Sequence, residues 1–132
     1  YGWPYCYVED GQNVADNSEQ WNDPVDCKEV PLPTATFEPR SAPLGLRYFD
    51  ETFHSSLADS FLVALHGSFD ASVGAGYEIY RVTREGKKEL FMDGFLQNSE
   101  RIARPVDFLR VGDNSYFFTD DHGGRIFYLK AE

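Results

Sequence analysis

The sequence is short of sulfur and of positive charge. Its 132 residues include two cysteines and one methionine, and 12 Lys and Arg stand against 22 Asp and Glu, a formal charge of −10. That deficit excludes an electrostatic footprint for nucleic acid and disfavours adsorption to anionic membrane surfaces. Long apolar runs are missing too. Stretches such as Phe61-Leu62-Val63-Ala64-Leu65 stop within a few positions, far short of the roughly 20 residues of a membrane-spanning helix. With no second cysteine pair there is no zinc site of the usual kind. Cys6 and Cys27 either close one disulfide, as an oxidising compartment permits, or stay as two free thiols. No basic segment leads into an apolar core at the start, and no Met opens the chain, so it reads as processed or truncated.

What is abundant is aromatic. Phe, Tyr and Trp reach 16%, with 11 Phe, too many for a disordered chain and well suited to packed sheets. The length supports one domain. Its texture changes near Arg40: residues 1–40 carry five of the seven prolines, eight acidic and two basic residues, and no sustained period. They read as an irregular acidic arm, ordered against a sheet by Tyr1, Trp3, Tyr5, Tyr7, Trp21 and Phe37. Residues 41–132 contain short apolar runs ended by Gly, Asp or Asn, which predict seven antiparallel strands at 44–49, 60–66, 77–83, 89–95, 106–111, 116–119 and 126–130. The run 61–65 is apolar throughout, so its strand is covered on both faces. Only residues 55–60 have the makings of a helical turn. The expected class is all-β, grouped as four strands and then three, in the manner of consecutive β-propeller blades.

Certain segments carry a resemblance. Tyr1-Gly2-Trp3-Pro4-Tyr5-Cys6, Ser41-Ala42-Pro43-Leu44-Gly45-Leu46, Phe61 through Phe69, Gly76-Tyr77, Arg104-Pro105-Val106-Asp107 and Thr119 through Ile126 together resemble the C-terminal part of the glucose/sorbosone dehydrogenase family. The resemblance implies a six-bladed β-propeller that binds pyrroloquinoline quinone (PQQ) and calcium and oxidises the aldehyde or hemiacetal carbon of a sugar in the bacterial periplasm, or as a secreted protein. About two blades per chain leave open edges and apolar faces. They are completed either by the missing blades of a longer chain or by three copies closing a ring as a homo-oligomer, the trimer being favoured.

The resemblance also points to residues. His66 ends an inner strand where distant relatives carry a cofactor-facing lysine, and an imidazole there bonds a quinone oxygen or acts as general base. Its plain alternative is a strand-end histidine bonding backbone. Arg104 matches a cofactor-facing arginine, whose guanidinium suits the carboxylates of a tricarboxylate. A second arginine two positions earlier is replaced by Ile102, with Arg101 as substitute. Arg40 precedes a segment that touches the cofactor in relatives; an ordinary ion pair is its alternative. His54 reads as a loop residue and His122 as a turn residue. Asp120 and Asp121 read as turn caps. The oxygen ligands of Asp10-Gly11-Gln12-Asn13 and of Asp113-Asn114 do not form a calcium loop with a closing bidentate Glu, so calcium is given no ligands. The family's own general base lies in an early blade outside this chain, which leaves catalysis by this chain alone undecided. The alternatives to a dehydrogenase are a non-catalytic module binding carbohydrate or protein through Trp3, Tyr5 and Phe69, and a structural remnant without ligand.

Overall fold

A computed structural model describes residues 2–17 and 25–132. Tyr1 and Trp21, expected to anchor the arm, lie outside the described residues. The chain divides into two compact units, Tyr1–Thr34 and Ala35–Glu132.

Within the first unit the arm is more regular than its composition predicts. Strands β1 (Cys6–Glu9) and β2 (Gln12–Ala15) pair antiparallel as a hairpin. Asp10 and Gly11 make the turn, both at positive φ, the left-handed geometry that short hairpin loops require. Cys6 and Cys27 are disulfide-bonded, with Cα atoms 5.7 Å apart, and both are buried. Asp26 caps a 3-10 turn at Cys27–Glu29 through the Lys28 amide. The Asn13 side chain donates to the Val30 carbonyl at 2.5 Å, so the end of the unit is tied to β2.

The second unit contains the seven predicted strands. β3 (Pro43–Phe49), β4 (Ser60–Leu65), β5 (Glu78–Thr83) and β6 (Lys88–Met92) form a four-stranded antiparallel meander. A two-stranded ribbon follows, β7 (Leu96–Gln97) with β8 (Glu100–Arg101). Then β9 (Pro105–Arg110), β10 (Ser115–Asp120) and β11 (Arg125–Lys130) make a three-stranded sheet with β10 in the middle. No α-helix is present among the described residues. Residues 54–58 make only a turn, in which the Leu57 and Ala58 amides donate to the His54 carbonyl. The predicted strand at 89–95 ends at Met92, because Gly94 sits at positive φ and turns the chain.

Side-chain alternation puts one core between the two sheets. Leu62, Ala64 and Ile79 from the first meet Phe108, Tyr116 and Phe118 from the second, with Phe49, Phe53 and Leu57 among them. Each large apolar side chain removed from water contributes about 1.5–3 kcal/mol. The opposite face of β4 also covers apolar groups: Val63 and Leu65 pack with Val82, Phe61, Tyr80, Ala35 and Phe37. That strand is thus enclosed on both sides, as its unbroken apolar run predicts. β3 approaches β9 so closely that a Cβ on Gly45 would strike the Val106 carbonyl, which explains a glycine inside a strand. The outward face of the three-stranded sheet is different. Leu109, Ile126 and Tyr128 are each more than half exposed there, beside Phe117.

Candidate functional site

One end of the four-stranded sheet gathers the residues singled out in the sequence. β4 runs into His66 and Gly67, whose amides donate to the Ala42 and Ser41 carbonyls at 2.9 Å each. Arg104, just before β9, closes over the same two residues. Its Nε donates to the His66 carbonyl at 3.1 Å and its Nη2 to the Gly67 carbonyl at 2.7 Å, while its guanidinium lies 5.8 Å from the centre of the Tyr77 ring. A side chain on Gly67 is impossible without movement, since its Cβ would come 2.6 Å from that ring and its φ is +92°.

The loop from Ser68 to Tyr77 is fastened by a second arginine. The buried Tyr77 hydroxyl donates to the Ser68 carbonyl. Arg101 donates through Nε to the Tyr77 hydroxyl at 3.3 Å and through Nη2 to the Phe69 carbonyl. Phe69, at the tip, is 92% exposed. Asp70 caps the 3-10 turn at Ala71–Val73; the Ser72 hydroxyl, aided by its amide and by the charges of Arg40 and Arg101, holds the Asp70 carboxyl below the usual range. Three arginines therefore surround this loop on a chain of net charge −10. Arg40, Ala42 and Tyr77 all have positive φ, a strained backbone of the kind concentrated at functional sites.

The turn between β10 and β11 completes the arrangement. Asp120 is buried, and its carboxylate accepts from the amides of Arg104, His122 and Gly123 and from Arg125 Nε at 2.8 Å. Burial opposes its ionisation, but the Arg104 amide, Arg125 and the Gly123 amide outweigh it and hold the carboxyl below its usual range. Asp121, the next residue, leaves the turn and meets His66: Nε2 lies 2.9 Å from Oδ1.

The structure thus brings His66 and Arg104 into direct contact and places Arg40 beside the same loop. His54 belongs elsewhere, with Nδ1 3.1 Å from Ser56 Oγ, and His122 lies exposed in the β10–β11 turn. Asp120 caps a turn, as its spacing predicts, but Asp121 does not. Its contact with His66 spans 55 positions and left no local signal. Tyr77 was visible only as part of a motif.

The donor set suits a polycarboxylate. Arg104 uses two of its five N–H groups on backbone carbonyls, and among the described residues the other three have no acceptor. Arg101 likewise keeps Nη1 uncommitted, and Arg40 is exposed with no hydrogen bond among the described residues. For a metal the position differs: among the described residues no three His, Cys, Asp or Glu side chains come together to hold an ion.

Comparison with known proteins agrees with this architecture. The holo form of the pyranose dehydrogenase PQQ domain from Coprinopsis cinerea superimposes with a TM-score of 0.60 at 21% identity, over 98% of this chain and 40% of that one. The likeness establishes a shared fold, that of a PQQ domain of a sugar dehydrogenase. An uncharacterized protein of Borreliella burgdorferi is 28% identical over 144 residues, taking in 100% of this chain and 36% of its own length. The chain therefore spans well under half of the relatives it matches. A family profile, TrAA12-like, matches residues 1–132 without interruption, and on that match the chain belongs to the TrAA12-like family.

Proposed function

We propose that this chain forms part of a PQQ-dependent sugar dehydrogenase of the glucose/sorbosone type, with the His66 end of the sheet as its cofactor and substrate side. The carrying observation is the arginine cluster. Arg104 is fixed by the backbone it grips and still has three N–H groups without an acceptor among the described residues, while Arg101 and Arg40 both act on Asp70 in the adjoining loop. A guanidinium held in one orientation pairs with a carboxylate at little further entropic cost. Arg104 and Arg40 would hold carboxylates of PQQ, with Arg101 standing in for the arginine that Ile102 replaces. When bound, the quinone supplies a two-electron acceptor for the hydrogen that leaves the sugar carbon with its electron pair.

The chain's own part is to bind and orient. His66 would bond a quinone oxygen, since the family's own general base lies in an early blade outside this chain; its carbonyl and amide are both tied down, so the imidazole is presented from a rigid strand end. The Phe69 ring at the loop tip offers an apolar face of the sort a sugar ring stacks on. No residue of this chain is assigned to calcium: among the described residues no three His, Cys, Asp or Glu side chains gather to hold an ion.

A closed ring needs more sheets than this chain has. The spans of 36% and 40% in its relatives favour further sheets of a longer polypeptide over three copies of this one. The disulfide supports a periplasmic or secreted setting.

The test is a titration of PQQ into the chain, followed by quenching of Trp and Tyr fluorescence. Saturable binding, weakened about tenfold or more by Arg104→Ala, is expected from the loss of a charge-assisted pair of about 1.5–3 kcal/mol. Equal binding by the two proteins would remove the cofactor role of Arg104.

A further inference from the structure

We propose that Tyr77 is the positioning residue of the arginine cluster: its hydroxyl fixes the guanidinium of Arg101 and its ring carries that of Arg104, so that both meet a carboxylate ligand already oriented. This rests on the reading of the cluster as the carboxylate-binding group and says what builds it. The Tyr77 hydroxyl has a single hydrogen, which goes to the Ser68 carbonyl. Its oxygen is left to accept, and Arg101 Nε donates to it at 3.3 Å while Arg101 Nη2 donates to the Phe69 carbonyl. Arg104 is anchored by the same edge, Nε and Nη2, on the His66 and Gly67 carbonyls, with its guanidinium 5.8 Å from the centre of the Tyr77 ring. In both arginines Nη1 is left without a partner among the described residues.

The loop is shaped around this one side chain. Tyr77 is buried, yet its φ is +62°, a conformation in which a bulky residue is a rare outlier. Two glycines make room for it. A Cβ on Gly67 would strike the Tyr77 ring, and one on Gly76 would come within 2.6 Å of the Gly67 Cα and 2.5 Å of the Ser41 carbonyl. The Tyr77 amide is tied to the Leu65 carbonyl at 2.9 Å, so the ring leaves a backbone held by β4. Filling the core, to which Tyr77 belongs, needs only the ring, and a phenylalanine would supply it. What the hydroxyl adds is a fixed acceptor for a cation. A long side chain such as arginine gives up rotamer freedom when a ligand immobilises it, and that loss weakens binding. Arg101, gripped by Tyr77 and by the Phe69 carbonyl, has given it up before any ligand arrives.

The decisive measurement is a proton–nitrogen correlation spectrum of the arginine Nε–H groups, recorded on the chain without quinone at mildly acid pH, where these protons exchange slowly enough to be seen. The expected result is a separate, exchange-protected signal for Arg101 and another for Arg104. Tyr77→Phe keeps the ring, so it should return the Arg101 signal to the averaged position of exposed arginines and leave that of Arg104 in place. An Arg101 signal already averaged in the wild type, or unchanged in Tyr77→Phe, would overturn the proposal. The wild-type spectrum decides even where the variant fails to fold. Titration with PQQ then reads the consequence: Tyr77→Phe should weaken binding about three- to tenfold, because the ligand must now order Arg101 itself. If Arg104→Ala weakens binding and Tyr77→Phe does not, this proposal fails and the cofactor reading stands. If neither variant weakens it, the cofactor reading fails and takes this proposal with it.

Discussion

At the scale of single residues, the buried polar side chains among the described residues fall into those that are compensated and one that is not. Asp120 is compensated four times over, and its carboxyl is held low. A carboxyl whose folded value is depressed stabilises the fold above the ordinary aspartate range, near pH ~4, and loses that contribution as the pH falls through its folded value. Asp120→Asn should cost about 2 kcal/mol at neutral pH. Denaturant melts at stepwise lower pH should show the gap between the two proteins closing on acidification; a constant gap would contradict it. Tyr116 is the opposite case. Its hydroxyl is buried without a partner among the described residues, and burial pushes its pKa above the usual phenol range. Tyr116→Phe should leave the protein as stable or more so, by up to about 1 kcal/mol, as judged by urea midpoint. A clear loss would mean that the hydroxyl has a partner.

At the scale of elements, what the sequence made legible followed from pattern. Strands in residues 41–132 were readable because apolar runs end in turn residues with a physical reason to turn, such as Gly67 or Gly86. The β1–β2 hairpin escaped notice because its strands have four residues each, too short to show a period, although Asp10-Gly11 is a hairpin signal. In the site, His66 and Arg104 were legible through motif, whereas Asp121 was not, since only the fold carries the β10–β11 turn to the end of β4. Among the described residues of the first unit, Cys6 and Cys27 are the buried apolar side chains, and their disulfide links positions 21 apart. Closing a loop of that length is worth about 3 kcal/mol. Replacing Cys6 and Cys27 together by Ser should therefore open the hairpin, read as faster exchange of the Tyr7 and Val14 amides, while the β3–β6 amides stay protected. Uniform protection in the variant would show that packing alone holds the hairpin.

At the scale of the whole molecule, the two sheets of the second unit bury one core between them and leave Leu109, Phe117, Ile126 and Tyr128 facing outward. A contiguous apolar face of this kind marks a surface meant to be covered. Light scattering on the chain should show a mass that rises with concentration, and Leu109→Lys with Tyr128→Lys should suppress the rise without loss of folding. A strictly monomeric chain at all concentrations would mean that the face is tolerated in water. A defined mass of three chains would instead favour a ring built from copies. The strand order itself bears on how the molecule forms. Each pairing, from β1 with β2 to β10 with β11, joins strands that are consecutive in the chain. Loop closure is therefore short at every step, and the usual slowness of all-β folding, which comes from distant pairings, does not apply with full force. The four-stranded sheet can assemble during synthesis once Met92 has emerged, before the residues that complete the core exist.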